Sequence, residues 1–373
     1  MERKSAELRD ILSRYDKGQV FIVADEYFKE RHETVEKICP ELTEIMQREE
    51  HTIYIHASEE TKNIGTVESI WTFLLERHAT RKALIINIGG GIVSDTGGFA
   101  AATYRRGIDY VNIPTTLLAM VDAASGGKTG INYPISTANG QETIILKNQI
   151  GAFREPVKTL INTEWLRTLP EKELLSGMGE IIKTALIESR EWLDEIASAA
   201  SKAAEEGGIK RWMEANEEVM RKWIERSIEI KRRITAADPT EQGIRKSLNL
   251  GHTIGHAIEE ELIRSGQRMA DGSVYPHGYC IYWGLIAETK MSVKLCHCPT
   301  EVLKQVESMR GLFGKMPDMD TTAVAQLTLE DKKNESASEA NFSLLGEVGE
   351  VMINQKAGEE VIKEALRYMK EQV

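Results

Sequence analysis

The chain opens with short apolar runs separated by stretches of helical periodicity. QVFIVAD (19–25) and HTIYIHA (51–57) have strand length, and TVESIWTFLLERHA (66–79) places its apolar residues at helical spacing. KALIINIGGGIVSDTGGFAAATY (82–104) reads as a buried strand, a triple glycine and a helix, and IDYVNIPTT (108–116) as a further strand ending at Pro114. Alternating strands and helices predict an α/β fold with a mainly parallel sheet. From about Glu171 the pattern turns helical, through EKELLSGMGEIIKTALIES, RWMEANEEVMRKWIERSIEIKRR, SLNLGHTIGHAIEEE and HGYCIYWGLIAETKMSVKL, with Gly207-Gly208 interrupting one long helical region. NFSLLGEVGEVMIN (341–354) predicts a hairpin and EEVIKEALRYMKEQV a closing amphipathic helix. The 373 residues exceed what one hydrophobic core usually serves, so two domains are expected: a Rossmann-like α/β domain over 1–175 and a mostly α-helical domain over 176–373, with the cleft between them as the expected site.

Composition changes this picture little. The chain is 41% apolar and 28% charged, with a net charge of −11, which argues against nucleic acid or an anionic membrane as partner. A locally basic pocket for an anionic substrate remains compatible with that charge. No apolar run has the length of a membrane span, and the amphipathic start MERKSAELRDILSRYD lacks the apolar core of a signal peptide. Four cysteines are too few for a disulfide scaffold and fit a reducing cytoplasm. The CHC at 296–298 has no second ligand pair at zinc spacing and reads as two small thiols near a helix end.

Candidate chemistry sits where glycines meet polar residues. In IINIGGGIVSD a buried strand hands over to a helix through glycine, which lets backbone N–H groups approach a phosphate, although the GxGxxG fingerprint is absent. Asp95 is then expected in the first helical turn. The Gly126-Gly127-Lys128 turn and the Lys147–Asn148 pair suit anions, although each lysine alone reads as a solvated charge. His252 and His256, at i and i+4, share one helix face, a common transition-metal spacing. Gly251 and Gly255 each cost about 1 kcal/mol relative to alanine in a helix interior, which makes sense if metal, substrate or cofactor must crowd against that helix. Glu180 and Lys183, at i and i+3 in GMGEIIK, read as a rim salt bridge or as a metal ligand beside a substrate cation. His277 marks a probable helix start. One carboxylate with two histidines is a catalytic zinc composition, and spacing alone leaves open which two of the three histidines serve.

GGGIVSDTGGF, IPTTLLAMVDAASGGKTGIN, KNQIGAF, GMGEIIKT, DPTEQGIRKSLNLGHTIGHAIE and the HG at 277–278, in this order, resemble the 3-dehydroquinate synthase family of sugar phosphate cyclases from about residue 20 to the EDKKNE stretch near 332. The resemblance implies an NAD-binding domain over 1–175 and a metal- and substrate-binding domain over 176–373. It gives a divalent metal, zinc or cobalt, to Glu180, His252 and His277, and leaves His256 as a substrate or proton-relay contact. It assigns NAD to Glu59, Lys62, Gly90, Gly91, Asp95, Thr115, Thr116 and Asp122. Catalytic roles fall to Lys183, Lys231, Arg245, Asn249 and His256, and substrate contacts to Arg106, Lys128, Lys147, Asn148 and Lys332. The implied reaction converts 3-deoxy-D-arabino-heptulosonate 7-phosphate to 3-dehydroquinate and phosphate, a phosphate-eliminating carbon–oxygen lyase step with NAD regenerated. Arg106 resembles an arginine that reaches a neighbouring subunit, so a homodimer is implied.

Three departures stand out. ISTANGQETIIL, an insertion over 135–146, replaces a much shorter connection beside Lys147–Asn148; of altered substrate contacts and a longer surface loop, the second is expected. GMGE stands where GMAE is usual, and the tyrosine of GINYP where histidine is often found. The competing readings are a valiolone- or inosose-type cyclase, a metal-dependent polyol dehydrogenase of the same architecture, and a non-catalytic relic. Arg245, Asn249 and His256 favour a carboxylate-bearing substrate over the first, the lysine set favours a phosphate over the second, and the intact ligand set opposes the third.

Overall fold

Parallel strands β1 (Val20–Asp25), β2 (Thr52–Ile55), β3 (Leu84–Gly89) and β4 (Asp109–Pro114) organise the first of two units, Met1–Leu169. In chain order a hairpin follows, β5 (Lys128–Ser136) with β6 (Thr143–Phe153), and then the short β7 (Lys158–Thr159). The computed structural model describes residues 2–124, 126–136, 143–330 and 338–371. The five-stranded sheet has the order β2-β1-β3-β4-β7 and is parallel throughout, so the expected α/β architecture is present. Interior strands β1 and β3 are buried along Val20–Ala24 and Leu84–Gly89. That burial is why β1 reads as a continuous apolar run and β3 as one broken only by Asn87, whose Nδ2 donates to Asn112 Oδ1 at 2.9 Å.

The Ile64–Glu76 helix lays Val67, Ile70, Phe73 and Leu74 into a core with Phe21, Val23 and Ile85. Phe21 and Phe73 meet edge to face at 5.9 Å. The Asn63 side chain starts this helix by accepting from the Gly65 and Thr66 N–H groups. From β1 the chain turns to β2 on one side and β3 on the other, the switch point at which open α/β sheets bind ligands. The triple glycine stands at the carboxyl end of β3, and Gly91–Thr103 follows as a helix. A Cβ on Gly97 would lie 2.0 Å from Asn87 Oδ1, and one on Gly98 2.6 Å from Thr129 Cγ2, so these glycines bring the helix down onto β3 and β5. Asp95 is the fifth residue of the helix, in its second turn rather than the first.

In the hairpin, Ile135 pairs with Ile144 and Ser136 with Thr143. The described flanks of the 135–146 insertion therefore extend an antiparallel ladder instead of lengthening a loop, while residues 137–142 lie outside the described residues.

The second unit, Pro170–Val373, is mostly helical. Gly207 and Gly208, at φ +98° and +111°, separate the helices Arg190–Glu206 and Ile209–Ala215. Strands β8 (Glu339–Glu347) and β9 (Glu350–Gly358) form the expected hairpin, followed by the Glu359–Glu371 helix. Three helices form the heart of the unit: Glu171–Glu188, His252–Arg264 and His277–Leu295. Their approach leaves no room for side chains at the crossings. A Cβ on Gly278 would fall 1.8 Å from the Ser176 carbonyl oxygen, and one on Gly179 2.3 Å from that of Gly278. A Cβ on Gly284 would fall 2.1 Å from the Gly251 oxygen, and one on Gly255 2.8 Å from Ile281 Cδ1. The glycines beside His252 and His256 thus admit a neighbouring helix, which corrects the expectation that they make room for metal, substrate or cofactor. Gly251, at φ +77°, provides no capping side chain. Glu288, fully buried on the His277–Leu295 helix, accepts from the Gly251 N–H at 2.5 Å and the Ile254 N–H at 3.0 Å and satisfies that helix start. Among the described residues, no helix is long and apolar enough to cross a membrane.

Gly278→Ala should lower stability by about 1–3 kcal/mol, the usual range for overpacking, read as a lower urea midpoint at unchanged slope. Gly311→Ala is the control, because its Cβ would meet nothing nearer than Ala204 Cβ at 3.9 Å. Its midpoint should stay within about 0.5 kcal/mol of the unaltered protein.

Candidate functional site

In the second unit the three packed helices bring Glu180, Lys183, His252, His256 and His277 together. Glu180 and Lys183 lie one turn apart on the same helix, each only 2% exposed, and form an ion pair, so they are not the rim pair the sequence allowed. Glu180 Oε1 stands 3.3 Å from His252 Nε2 and 3.6 Å from His277 Nε2. Glu180 Oε2 meets the Lys183 ammonium, and Oε1 faces the two imidazoles. Burial pushes this carboxyl up, but Lys183, His252 and His277 hold it well below the usual carboxylate range.

Both imidazoles are oriented from behind. His252 Nδ1 is 3.2 Å from the Leu250 carbonyl oxygen, and His277 Nδ1 is 3.3 Å from Glu259 Oε2. With Nδ1 as donor in each ring, the Nε2 lone pairs face Glu180, the outer-sphere arrangement common to histidine metal ligands. Burial and the Lys183 charge pull His252 down, which keeps it in the neutral form a metal binds. Burial also pulls His277 down, but Glu180 and Glu259 outweigh it and raise the group to about 10. A metal ion would take the place of that proton. His256 is exposed, its ring centroid 5.2 Å from that of His252 and 5.7 Å from that of His277. One ring nitrogen from each of the three histidines lies within 4.8 Å of the others. Geometry therefore offers a three-histidine set as well as the mixed set containing Glu180, and the buried, ionised Glu180 carboxylate fits a cation in the mixed set.

The remaining predicted residues of this unit lie on the Glu217–Ala237 helix and in the turn after it. Lys231 is partly buried on that helix. Arg245 is buried and donates to the Pro239 carbonyl oxygen at 3.0 Å, while Asn249 Nδ2 donates to Glu241 Oε1 at 2.9 Å. Asp238 Oδ2 ties the turn by accepting from the Gly243 and Arg245 N–H groups.

In the first unit a second polar cluster surrounds Lys62, which is 4% exposed. Its ammonium donates to Asp95 Oδ2 at 2.6 Å and Asn148 Oδ1 at 2.7 Å. Burial pushes the Asp95 carboxyl up against the opposing pull of Lys62. Glu59 accepts from Asn132 Nδ2 through both its carbonyl and its carboxylate. Gly90 and Gly91 open the helix after β3, and the Thr115 N–H bonds the Gly89 carbonyl at 2.9 Å. A Cβ on Gly90 would lie 3.1 Å from Thr116 Cγ2, and Asp122 sits in a helical turn, Ala119–Ala123, close enough to act on Asp95. Lys128 begins β5 and Lys147 lies on β6. Arg106 is exposed in a left-handed conformation, φ +70°. Lys332 lies outside the described residues.

Three residues of these clusters went unread in the sequence. Glu259 lies three residues after His256 and seven after His252, on their helix face, so periodicity could have found it. Asn132 and Glu288 carried no local signal, because their partners are distant in the chain.

The chain matches the family model for the 3-dehydroquinate synthase N-terminal domain over residues 52–176 and that for the C-terminal domain over 177–334. It is 38% identical to a 3-dehydroquinate synthase of Parabacteroides distasonis over 372 residues, covering 98% of this chain and 95% of that protein. Among solved structures, a 2-epi-5-epi-valiolone synthase of Streptomyces hygroscopicus subsp. jinggangensis with NAD+ and Zn2+ bound has a TM-score of 0.77 at 22% identity, covering 95% of this chain and 92% of that one. A 2-deoxy-scyllo-inosose synthase in complex with carbaglucose-6-phosphate, NAD+ and Co2+ has a TM-score of 0.73 at 20% identity, covering 97% and 94%. At these identities the two structures bear on the fold alone. With both halves matched in order and a relative this similar along nearly its whole length, the chain belongs to the 3-dehydroquinate synthase family.

Proposed function

We propose that this chain converts 3-deoxy-D-arabino-heptulosonate 7-phosphate to 3-dehydroquinate and inorganic phosphate, a carbon–oxygen lyase step of the shikimate route to aromatic amino acids, in the cytoplasm and as a homodimer. The convergence of the Glu180 carboxylate with the Nε2 atoms of His252 and His277, beside the Lys183 ammonium, carries the reading. These three residues are the proposed ligands of a divalent ion, and a carboxylate–imidazole set suits zinc or cobalt. Glu59, Lys62, Gly90, Gly91, Asp95, Thr115, Thr116 and Asp122 are the proposed NAD contacts. Gly90 and Gly91, which follow β3 beside the switch point, and the bond from Lys62 to Asp95 support that assignment. When bound, the metal supplies a Lewis acid for the substrate alcohol, and NAD supplies a hydride acceptor that is regenerated within the cycle.

The chain's own side chains bind and orient the substrate. Lys183 stands next to the proposed ligands and offers a cation to substrate oxygens there. Lys231, Arg245 and Asn249 donate toward the carboxylate and hydroxyls, and Arg106, Lys128, Lys147, Asn148 and Lys332 contribute cations and an amide for a doubly anionic substrate. The proposed role of His256 is to hold or pass a proton at a substrate hydroxyl, and its exposure beside two imidazoles supports it. Arg106, exposed at its left-handed turn, is the residue proposed to reach a second copy.

Phosphate release from the heptulosonate phosphate, measured with catalytic NAD and added zinc, tests the reading. Release without net NADH absorbance, abolished by a chelator, is the expected result. Net NADH formed on a polyol, or turnover confined to another sugar phosphate, contradicts it.

His277→Ala and Glu180→Gln should each lose bound metal and turnover while keeping their circular dichroism. Glu180→Gln should also lose stability, because it leaves the Lys183 charge buried without a carboxylate. His256→Ala should keep one metal per chain and lose kcat by about 10²–10⁴-fold, the usual worth of a proton-transferring group. Metal content measured on all three variants checks the assignment, and full metal in both ligand variants contradicts it.

A further inference from the structure

The β5–β6 hairpin is interrupted where it meets the loop at 58–62. Ile131 pairs with Ile150 and Tyr133 with Leu146, so β5 advances two residues while β6 advances four. The surplus on β6 bulges out at Lys147, Asn148 and Gln149, and Asn148 takes a left-handed conformation at φ +52°. Bulges of this kind re-aim side chains and recur beside active sites. Opposite the bulge sits Asn132, only 1% exposed.

Both side-chain groups of Asn132 and its backbone N–H are committed across the gap. Oδ1 accepts from the Asn148 N–H at 3.0 Å and so stands in for the ladder partner that the bulge removes. Nδ2 donates to the Glu59 carbonyl at 3.0 Å and to Glu59 Oε2 at 2.8 Å. The Asn132 backbone N–H donates to the Lys62 carbonyl at 2.7 Å. Lys62 closes the circuit by donating to Asn148 Oδ1 at 2.7 Å and Asp95 Oδ2 at 2.6 Å. One buried amide therefore ties the loop carrying Glu59 and Lys62 to the strand segment carrying Lys147 and Asn148. Such networks, fully paired, hold one arrangement more tightly than their separate bonds.

We propose that Asn132 is a positioning residue that couples the cofactor loop to the substrate strand, so that NAD and the phosphorylated sugar acid each tighten the binding of the other. This rests on the assignment of Glu59 and Lys62 to NAD and of Lys147 and Asn148 to substrate made above. A ligand that orders the 58–62 loop also fixes the Asn148 bulge through Asn132, and the second ligand then meets a site already ordered. Linkage makes the effect reciprocal.

The test is steady-state kinetics on the metal-loaded, full-length protein, with the KM for NAD measured from low to saturating heptulosonate 7-phosphate. For the unaltered chain this KM should fall by about 5–20-fold, within the usual range of coupling between sites. Asn132→Ala should raise both KM values and make the KM for NAD independent of sugar phosphate. Asn132→Asp keeps the acceptor for the Asn148 N–H but sets a carboxylate against Glu59, so it should raise the KM for NAD and spare that for the sugar phosphate at saturating NAD. Should the alanine variant not fold, the aspartate variant carries the test. Variants that melt at lower temperature yet keep the coupling of the unaltered chain show a merely structural role and overturn the proposal. An unaltered protein inactive on the sugar phosphate defeats the functional reading, and this inference falls with it. An active protein with coupling intact in both variants defeats this inference alone.

Discussion

The glycine-lined crossings of three helices are the constraint on which the second unit depends. Gly278 faces the Ser176 carbonyl, Gly179 faces Gly278, and Gly284 faces Gly251, each at a separation that a methyl group would violate. Contacts that close fix the rotation and the height of each helix, not merely its neighbourhood. Glu180 follows Gly179 directly, His252 follows Gly251, and His277 precedes Gly278. Each proposed ligand is thus attached to a residue that cannot shift without a backbone clash. Glu288 adds to this by capping the His252 helix from the His277 helix, so that the two share hydrogen bonds as well as contact. The site is preorganised by backbone packing, and the outer contacts of His252 and His277 only complete the aim of the rings.

Each unit also buries a lysine against a carboxylate, Lys183 with Glu180 and Lys62 with Asp95. Burying such pairs brings little net stability, because the desolvation of two charges offsets much of their attraction. Their value lies in geometry. Lys183 keeps the Glu180 carboxylate ionised in a place where burial alone would protonate it. Lys62 holds together three segments that are distant in sequence, the 58–62 loop, the helix carrying Asp95 and the bulge carrying Asn148. In both units the polar groups are precise because the apolar framework around them is rigid.

Much of this was legible in the sequence. Interior strands β1 and β3 show as near-continuous apolar runs, broken only by Asn87, because both their faces are covered, and the helices of the second unit show by their period. The i, i+4 spacing put His252 and His256 on one face. The reason for the glycines was not legible. Gly251 and Gly255 pack against residues near 281–285, and Gly179 against Gly278, and no local pattern reveals a partner so far along the chain. The same distance hid Glu288 and Asn132, whose roles exist only once the helices and the hairpin are assembled. The length of the insertion predicts a loop, whereas the pairing of Ile135 with Ile144 follows only from the hairpin register. Motif resemblance, not spacing, put Glu180 ahead of His256 in the proposed ligand set.

Glu180 and His256 compete for the third place around the ion, since one nitrogen from each of His252, His256 and His277 also lies within 4.8 Å of the others. X-ray absorption at the zinc edge of the metal-loaded protein decides between them directly by counting imidazoles around the ion. Two imidazoles with a carboxylate oxygen is the result expected from the glycine-locked placement of Glu180, His252 and His277. Three imidazoles without a carboxylate would place His256 in the coordination sphere and contradict the account.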